Sequence, residues 1–171
     1  MYKLHQRAFI LFGLIGFLLS GCAASTMHKQ TRLQETVADY YDTYSKRTDF
    51  QNFMAFYDEN AQLNDIIYGN SLNNKKDITA FFAWDNGQFE VLEGKPVLTI
   101  SKQVIDGNTV ITEGHFNQFK YNQQVLGPWL FIMVHQFNDK NKIIKQTDWI
   151  NYTPRNQFLG GKSMNQRLLE K

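Results

Sequence analysis

Hydrophobic positions recur at helical spacing in three segments of the first half of the chain. Residues 31–46 place apolar and aromatic side chains three or four positions apart, which predicts an amphipathic helix. Thr48 and Gln51 form a capping-box pattern that predicts the start of a second, short helix. Its predicted buried side consists of Phe53, Met54, Phe56 and Tyr57. Residues 75–84 repeat the helical spacing and predict a third helix.

The pattern changes after Pro96, where β-branched and aromatic residues form runs separated by Gly- and Asn-containing linkers. Each run predicts a long antiparallel strand, and the four runs cover residues 97–105, 109–121, 125–137 and 143–152. Residues 61–65 predict one further short strand. Helices followed by a meander of strands are typical of an α+β domain. We therefore expect three N-terminal helices packed on a strongly curved antiparallel sheet.

The first 22 residues have the organisation of an export signal. The basic residues Lys3 and Arg7 precede an apolar run over residues 8–19, which is long enough for a signal peptide but short for a membrane span. The run ends in Leu19-Ser20-Gly21-Cys22, which resembles the bacterial lipobox. That resemblance implies cleavage before Cys22 and attachment of a diacylglyceryl group to its sulfur. Several acyl chains would then hold the protein on a membrane.

The residue after the cysteine bears on the destination of a lipoprotein. In Gram-negative lipoproteins an aspartate there usually retains the protein at the inner membrane, so Ala23 implies the outer membrane, facing the periplasm. We divide the chain into a signal peptide, an acylated cysteine with a tether, a folded domain and a C-terminal tail, at residues 1–21, 22–30, 31–153 and 154–171.

Composition and charge limit the classes of molecule that this protein could bind. The 171 residues are 43% hydrophobic and 20% charged, enough for one folded core. Removing Lys3 and Arg7 from the 18 basic residues leaves as many as the 16 acidic ones. A neutral chain with scattered basic residues lacks the basic patch that attracts phosphate backbones, so we expect no nucleic-acid partner. The single cysteine excludes a disulfide within the chain.

The order of elements resembles a known superfamily. The run Phe56-Tyr57-Asp58-Glu59-Asn60-Ala61 precedes Asp65, the third helix carries Ile78-Thr79-Ala80-Phe81-Phe82, and Asp106-Gly107-Asn108 forms the first hairpin turn. This arrangement resembles the nuclear transport factor 2-like superfamily, which includes SnoaL-like polyketide cyclases and ketosteroid isomerases. The resemblance implies a cone-shaped fold with a mostly apolar ligand pocket between the helices and the concave sheet face. The function stays open, because this fold hosts enzymes, binding modules and assembly domains.

The resemblance also implies candidate site residues. The spacing of Tyr41, Tyr57 and Asp65 fits ketosteroid isomerases, with Tyr41 at their oxyanion-hole tyrosine and Asp65 at their general base. Their second oxyanion donor, a protonated aspartic acid, is replaced by Met133. Asp148 lies beside that position on the last strand, and burial would raise its pKa so that it could donate the missing hydrogen bond.

Structural alternatives stay open for several candidates. Asp65 equally suits the cap of the turn before Gly69, and Tyr41 suits core packing. His115, His135 and Asp148 could form a metal site if their faces coincide. No local ligand motif supports one, so we expect no metal and no other cofactor.

The third long strand and its neighbours supply the expected pocket wall, which consists of His115, Trp129, Phe131, Met133, His135, Gln146 and Ile150. On the opposite face of the same strand Leu130, Ile132 and Val134 are also apolar, which predicts that the strand is covered on both sides.

Three functions remain in view. The leading interpretation is a membrane-anchored domain that binds a small apolar or aromatic molecule and is non-catalytic or weakly catalytic. The second is an isomerase or cyclase in which Asp65 takes a proton next to a carbonyl while Tyr41 and protonated Asp148 stabilise the enolate. The third is an interaction domain that forms a homodimer through the open sheet face.

Overall fold

The computed structural model of the chain describes residues 27–152 together with Asn165, Leu168 and Leu169. The predicted signal peptide, Cys22 and most of the predicted tail lie outside these described residues. The chain divides into two compact units, Met1–Thr36 and Val37–Lys171. The described part of the first unit, residues 27–36, is helical. No helix among the described residues is long and apolar enough to cross a membrane.

The three predicted helices are present. Helix α1 covers residues 27–46, α2 covers Phe50–Ala55 and α3 covers Lys75–Phe82. The predicted cap of α2 is wrong by one residue. Asp49 is the N-cap instead of Thr48, because the short Asp49 carboxylate accepts a hydrogen bond from the Asn52 backbone N at 2.9 Å.

The described residues contain nine strands, namely β1 (Tyr57–Asp65), β2 (Asn70–Leu72), β3 (Phe89–Val91), β4 (Leu98–Asp106), β5 (Thr109–Phe116), β6 (Phe119–Tyr121), β7 (Gln124–Leu126), β8 (Trp129–Phe137) and β9 (Ile143–Ile150). The main sheet has the order β2-β1-β9-β8-β5-β4, and β3-β6-β7 form a small second sheet. Helices packed on a curved sheet confirm the α+β class. The main sheet is mixed, because β1 runs parallel to β9, whereas an antiparallel sheet was predicted.

Several predicted boundaries differ from the structure. Tyr57, expected on α2, is the first residue of β1, where it pairs with Ile143 of β9. The predicted strand over 109–121 divides into β5 and β6, and that over 125–137 divides into β7 and β8. The second break falls at Gly127-Pro128, where Gly127 has a φ of 79° and proline offers no N–H to a sheet ladder.

The core lies between the helices and the inner face of the main sheet. On β8 the inward side chains alternate with outward ones, so Met133 and His135 are almost completely buried. The Tyr40 ring of α1 lies 5.0 Å from the His135 ring and stacks on Phe53 of α2 at 5.2 Å. On the outer face Ile132 is 44% exposed. The prediction that both faces of β8 are covered by other elements is therefore wrong, because the outer face is exposed at Ile132 among the described residues.

Candidate functional site

A cavity of about 360 Å³ lies between the C-terminal ends of α1 and α3 and the strands of both sheets. Nine aromatic side chains dominate its wall, and the full lining is Tyr44, Arg47, Phe81, Phe82, Ala83, Trp84, Phe116, Phe119, Tyr121, Leu126, Trp129, Asp148, Ile150 and Tyr152. We call it the aromatic cavity. Its volume is within the range of small-molecule sites, and its charged groups are Arg47 and Asp148.

Two helix ends turn the chain so that side chains reach this cavity. After α1, Arg47 adopts a left-handed φ of 51° and its backbone N–H donates to the Thr43 carbonyl at 3.0 Å. After α3, Ala83 adopts a φ of 34° and its N–H donates to the Thr79 carbonyl at 3.0 Å. A left-handed residue ends a helix abruptly. The reversals leave Arg47 and Trp84 at the edge of the cavity.

Asp148 of β9 is a buried carboxyl in the wall of the aromatic cavity, with only 3% of its surface exposed. Gln146 Nε2 donates a hydrogen bond to each of its oxygens at 2.9 Å. Burial raises the pKa of Asp148 to about 7; the bonds from Gln146 oppose this rise and the neighbouring Asp65 adds to it. Asp148 can therefore exchange between its protonated and ionised forms near neutral pH.

A chain of buried hydrogen bonds connects Asp148 with the core. Tyr57 Oη donates to Gln146 Oε1 at 2.5 Å, and the Tyr40 and Tyr57 hydroxyls lie 3.0 Å apart. Burial raises the pKa of both tyrosines well above the ordinary value, so both hydroxyls remain protonated. Tyr40, Tyr57, Gln146 and Asp148 form this buried polar chain. It fixes the orientation of the Gln146 amide, which in turn holds the Asp148 carboxyl in place.

Asp65 lies opposite Asp148 in the parallel pairing of β1 and β9. Its Oδ1 accepts hydrogen bonds from the backbone N–H groups of Ile67 and Tyr68 at 3.1 and 3.4 Å. Its Oδ2 accepts one from the Tyr152 hydroxyl at 3.2 Å. Asp65 is 2% exposed and is not part of the aromatic cavity wall. Its contacts are those of a residue that caps the turn after β1, the alternative left open by the sequence.

Tyr41 and His135 lie in the core behind the cavity. The Tyr41 hydroxyl donates to the Met133 sulfur at 3.9 Å, and burial raises the pKa of this hydroxyl. His135 is 1% exposed, and burial lowers its pKa to about 4, so the ring is neutral at physiological pH. Its Nε2 has no hydrogen-bond partner among the described residues. Neither side chain belongs to the aromatic cavity wall.

The other predicted wall residues divide into three groups. Trp129 and Ile150 line the aromatic cavity together with Asp148. Phe131, Met133, His135 and Gln146 are buried in the core and do not line it. His115 instead borders a separate groove on β4 and β5, where its Nε2 lies 3.2 Å from Asn117 Oδ1.

This distribution separates the three residues considered for a metal site, because His115, His135 and Asp148 lie in the groove, the core and the cavity. Within the described part of the chain no group of three or more His, Cys, Asp and Glu side chains could hold a metal ion.

Sequence reasoning missed two groups at the site. The Tyr40 hydroxyl belongs to the buried polar chain, but the helical pattern indicates only that Tyr40 is buried. Arg47 carries the cation of the aromatic cavity, and it follows the last residue of α1 without any motif. Only the left-handed helix end, which the sequence pattern does not specify, directs it to the cavity.

The fold is shared with solved structures, although the sequence matches no protein-family model and no curated protein sequence. A nuclear transport factor 2-like protein of unknown function from Burkholderia xenovorans is 18% identical, with a TM-score of 0.55, over 79% of this chain and 98% of that one. A candidate SnoaL-like polyketide cyclase from Shewanella denitrificans is 14% identical, with a TM-score of 0.58, over 81% and 98%.

A protein from Catenulispora acidiphila with a ketosteroid isomerase-like fold, solved in complex with trimethylamine, is 13% identical, with a TM-score of 0.51, over 67% of this chain and 84% of that one. At these identities the likeness establishes the fold alone. The chain therefore has a nuclear transport factor 2-like fold, as the sequence resemblance implies.

Proposed function

We propose that this protein is a binding domain whose aromatic cavity takes one small, largely apolar or aromatic molecule. The observation that carries the proposal is the cavity of about 360 Å³ with aromatic walls and a single buried carboxyl, Asp148. Aromatic walls favour flat apolar ligands through stacking and edge contacts, and one or two polar groups fix the orientation of the ligand.

The proposal is tested with native mass spectrometry of the purified protein, first alone and then with naphthalene-2-carboxamide, a neutral aromatic probe. Leu126 lines the cavity, whereas the adjacent Val125 is 50% exposed and does not. We expect the wild type and Val125→Trp to bind one probe molecule and Leu126→Trp to bind none, because the indole fills the cavity. Equal binding by both variants, or a wild type that carries no molecule and binds no aromatic amide, contradicts the proposal.

A second candidate is a proton-transfer enzyme, and the pKa of Asp148 near 7 favours it. In this version the Asp148 carboxylate, and not Asp65, accepts a proton from a carbon next to a carbonyl and returns it to the same carbon, or to the γ-carbon when the enolate is conjugated with a double bond. Asp148 lines the cavity, whereas Asp65 does not, and the oxygens of Asp65 accept hydrogen bonds from the Ile67 backbone N–H and the Tyr152 hydroxyl.

Exchange of the α-protons of 2-tetralone in heavy water, followed by NMR, tests this candidate. The wild type should accelerate exchange, and Asp148→Asn should abolish the acceleration while still binding naphthalene-2-carboxamide. If exchange with the wild type proceeds at the uncatalysed rate, the enzyme candidate is contradicted and binding remains the proposed function.

We also propose that Cys22 carries the membrane anchor and that Ala23 directs the protein to the outer membrane. The support is the leader sequence described above. Fractionation of cells should find the wild type in the membrane and Cys22→Ser outside it. Ala23→Asp should move the protein to the inner membrane. A Cys22→Ser variant that remains membrane-bound in the same proportion contradicts the anchor.

A second copy of the chain is the proposed partner at the outer sheet face. Val104 pairs with Ile111 and Ile132 pairs with Trp149 on this face, and all four side chains are at least 40% exposed. Exposed apolar patches often mark interaction sites. Sedimentation should show a dimer for the wild type and for a Val125→Lys control, and a monomer for Trp149→Lys. A monomeric wild type contradicts the proposal.

A further inference from the structure

The aromatic cavity contains a cation that has no anionic partner among the described residues. Arg47 lines the cavity, and no carboxylate of the described residues forms an ion pair with its guanidinium. Its Nε is buried and donates no hydrogen bond within the described part of the chain. A buried cation without a partner is costly, because it loses hydration that nothing else replaces in full.

Aromatic rings replace part of that lost hydration. The Arg47 guanidinium carbon lies 5.0 to 5.7 Å from four ring centroids, those of Tyr44, Trp84, Phe89 and Phe119. Such contacts stabilise a cation through the negative face of each ring. They leave the Nε–H of the guanidinium, which lies at its edge, without an acceptor among the described residues. Tyr44, Trp84 and Phe119 also line the cavity, so the rings hold the guanidinium against its wall.

A second buried donor lies in the same wall. Trp84 is 5% exposed, and its indole Nε1–H has no hydrogen-bond partner among the described residues. Buried N–H groups almost always have an acceptor in folded proteins. Two neighbouring donors without partners in the wall of a ligand-sized cavity, one of them cationic, therefore have the chemistry of a site for an anionic acceptor.

The second charged group in the cavity wall is Asp148, and its carboxyl is already held by Gln146. Ionised Asp148 repels an anion and protonated Asp148 donates a single hydrogen bond. Among the residues that line the cavity, Arg47 is therefore the one that offers an anion both a positive charge and several donors.

Resting on the proposed binding function, we propose that the natural ligand is an aromatic or alicyclic carboxylic acid whose carboxylate binds Arg47 while its ring lies between the aromatic walls. A carboxylate matches the planar fork of a guanidinium with two parallel hydrogen bonds, and it carries the single negative charge that the one cation balances. The Trp84 indole N–H is the third donor available to it.

The test compares two probes of nearly equal shape, naphthalene-2-carboxylate and its neutral amide, by isothermal titration calorimetry with the purified protein at about pH 6, at which Asp148 is mostly protonated and the probe carboxylate is ionised. We expect the wild type to bind the carboxylate at least about tenfold more tightly than the amide, because hydrogen bonds to charged groups are the stronger ones. Arg47→Gln should remove this preference, with the carboxylate weakened about tenfold or more and the amide changed less than about twofold.

Lys46→Gln is the matched control, because it removes the neighbouring positive charge from an exposed side chain that does not line the cavity. It should leave both affinities unchanged. Equal affinity of the wild type for the two probes overturns the proposal, and this comparison needs no variant. An equal loss of both probes in a folded Arg47→Gln protein also overturns it, and assigns Arg47 the structural role of neutralising the carbonyl end of α1. Failure of the wild type to bind either probe instead contradicts the proposed binding function.

Discussion

Replacing Asp148 by Asn isolates the cost of burying an ionised carboxyl in the wall of the aromatic cavity. Burial raises the pKa of Asp148 from 3.8 to about 7, a change of about three units. Each unit corresponds to about 1.4 kcal/mol, so ionised Asp148 destabilises the folded state by about 4 kcal/mol relative to the protonated form. Asparagine cannot ionise, and its amide has nearly the shape of the protonated acid.

The direction of the pH dependence follows from which state of the protein, folded or unfolded, binds the Asp148 proton more tightly. Between about pH 4 and pH 7 the folded state binds more protons than the unfolded state at this position, so the free energy of unfolding falls as the pH rises. The penalty is absent below about pH 4 and complete above about pH 7. The stability of Asp148→Asn relative to the wild type should therefore grow by up to about 1.4 kcal/mol per pH unit and level off above about pH 7.

Urea unfolding, followed by tryptophan fluorescence at several pH values from about 4.5 to 8, measures this difference. Contributions from all other titrating groups largely cancel between the two proteins. Asp106→Asn, a change at the exposed last residue of β4, is the control and should give a flat difference. A flat difference for Asp148→Asn as well would show that water or a counter-charge solvates this carboxyl, and would refute the reasoning.

Three further predictions concern the core around the cavity. Burial lowers the pKa of His135 to about 4 from 6.5, so the stability of His135→Gln relative to the wild type should grow by about 3 kcal/mol as the pH falls from 6.5 to about 4; urea unfolding at the two pH values measures this difference, in which the opposite contribution of Asp148 cancels. Tyr57→Phe leaves Gln146 Oε1 without its 2.5 Å donor and should lower the free energy of unfolding by about 1–3 kcal/mol, and a loss below about 0.5 kcal/mol would contradict the buried polar chain. Gly114→Ala would place a Cβ 2.4 Å from the Thr99 carbonyl oxygen and should cost about 1–3 kcal/mol or more, and a thermal melt equal to that of the wild type would show that β4 and β5 can separate without cost.

The elements of the fold that the sequence predicts are those with a repeating pattern within their own residues. The spacing of apolar residues predicts α1 and α3, because an amphipathic helix repeats within its own sequence. The parallel pairing of β1 with β9 was not predicted, because it joins Tyr57 to Ile143 and depends on how the two ends of the domain meet. The break at Gly127-Pro128 has a local signal, since proline interrupts a sheet ladder.

The candidate site likewise contains residues that a local pattern predicts and residues that it does not. Alternation along β9 places Gln146, Asp148 and Ile150 on one face, and all three are buried in the structure. No periodic pattern identifies Arg47, because a left-handed turn after α1 directs it to the cavity. The positions of the surrounding side chains are needed to see that the Arg47 Nε has no hydrogen-bond partner among the described residues.

The indole N–H signals of the tryptophans test the central claim of a ligand-binding cavity most directly. Trp84 and Trp129 line the aromatic cavity, whereas Trp149 is 42% exposed on the outer sheet face. In a titration of ¹⁵N-labelled protein with naphthalene-2-carboxamide, we expect the Trp84 and Trp129 signals to shift together and saturate while the Trp149 signal stays in place. A titration that shifts only the Trp149 signal, or none of the three, would contradict it.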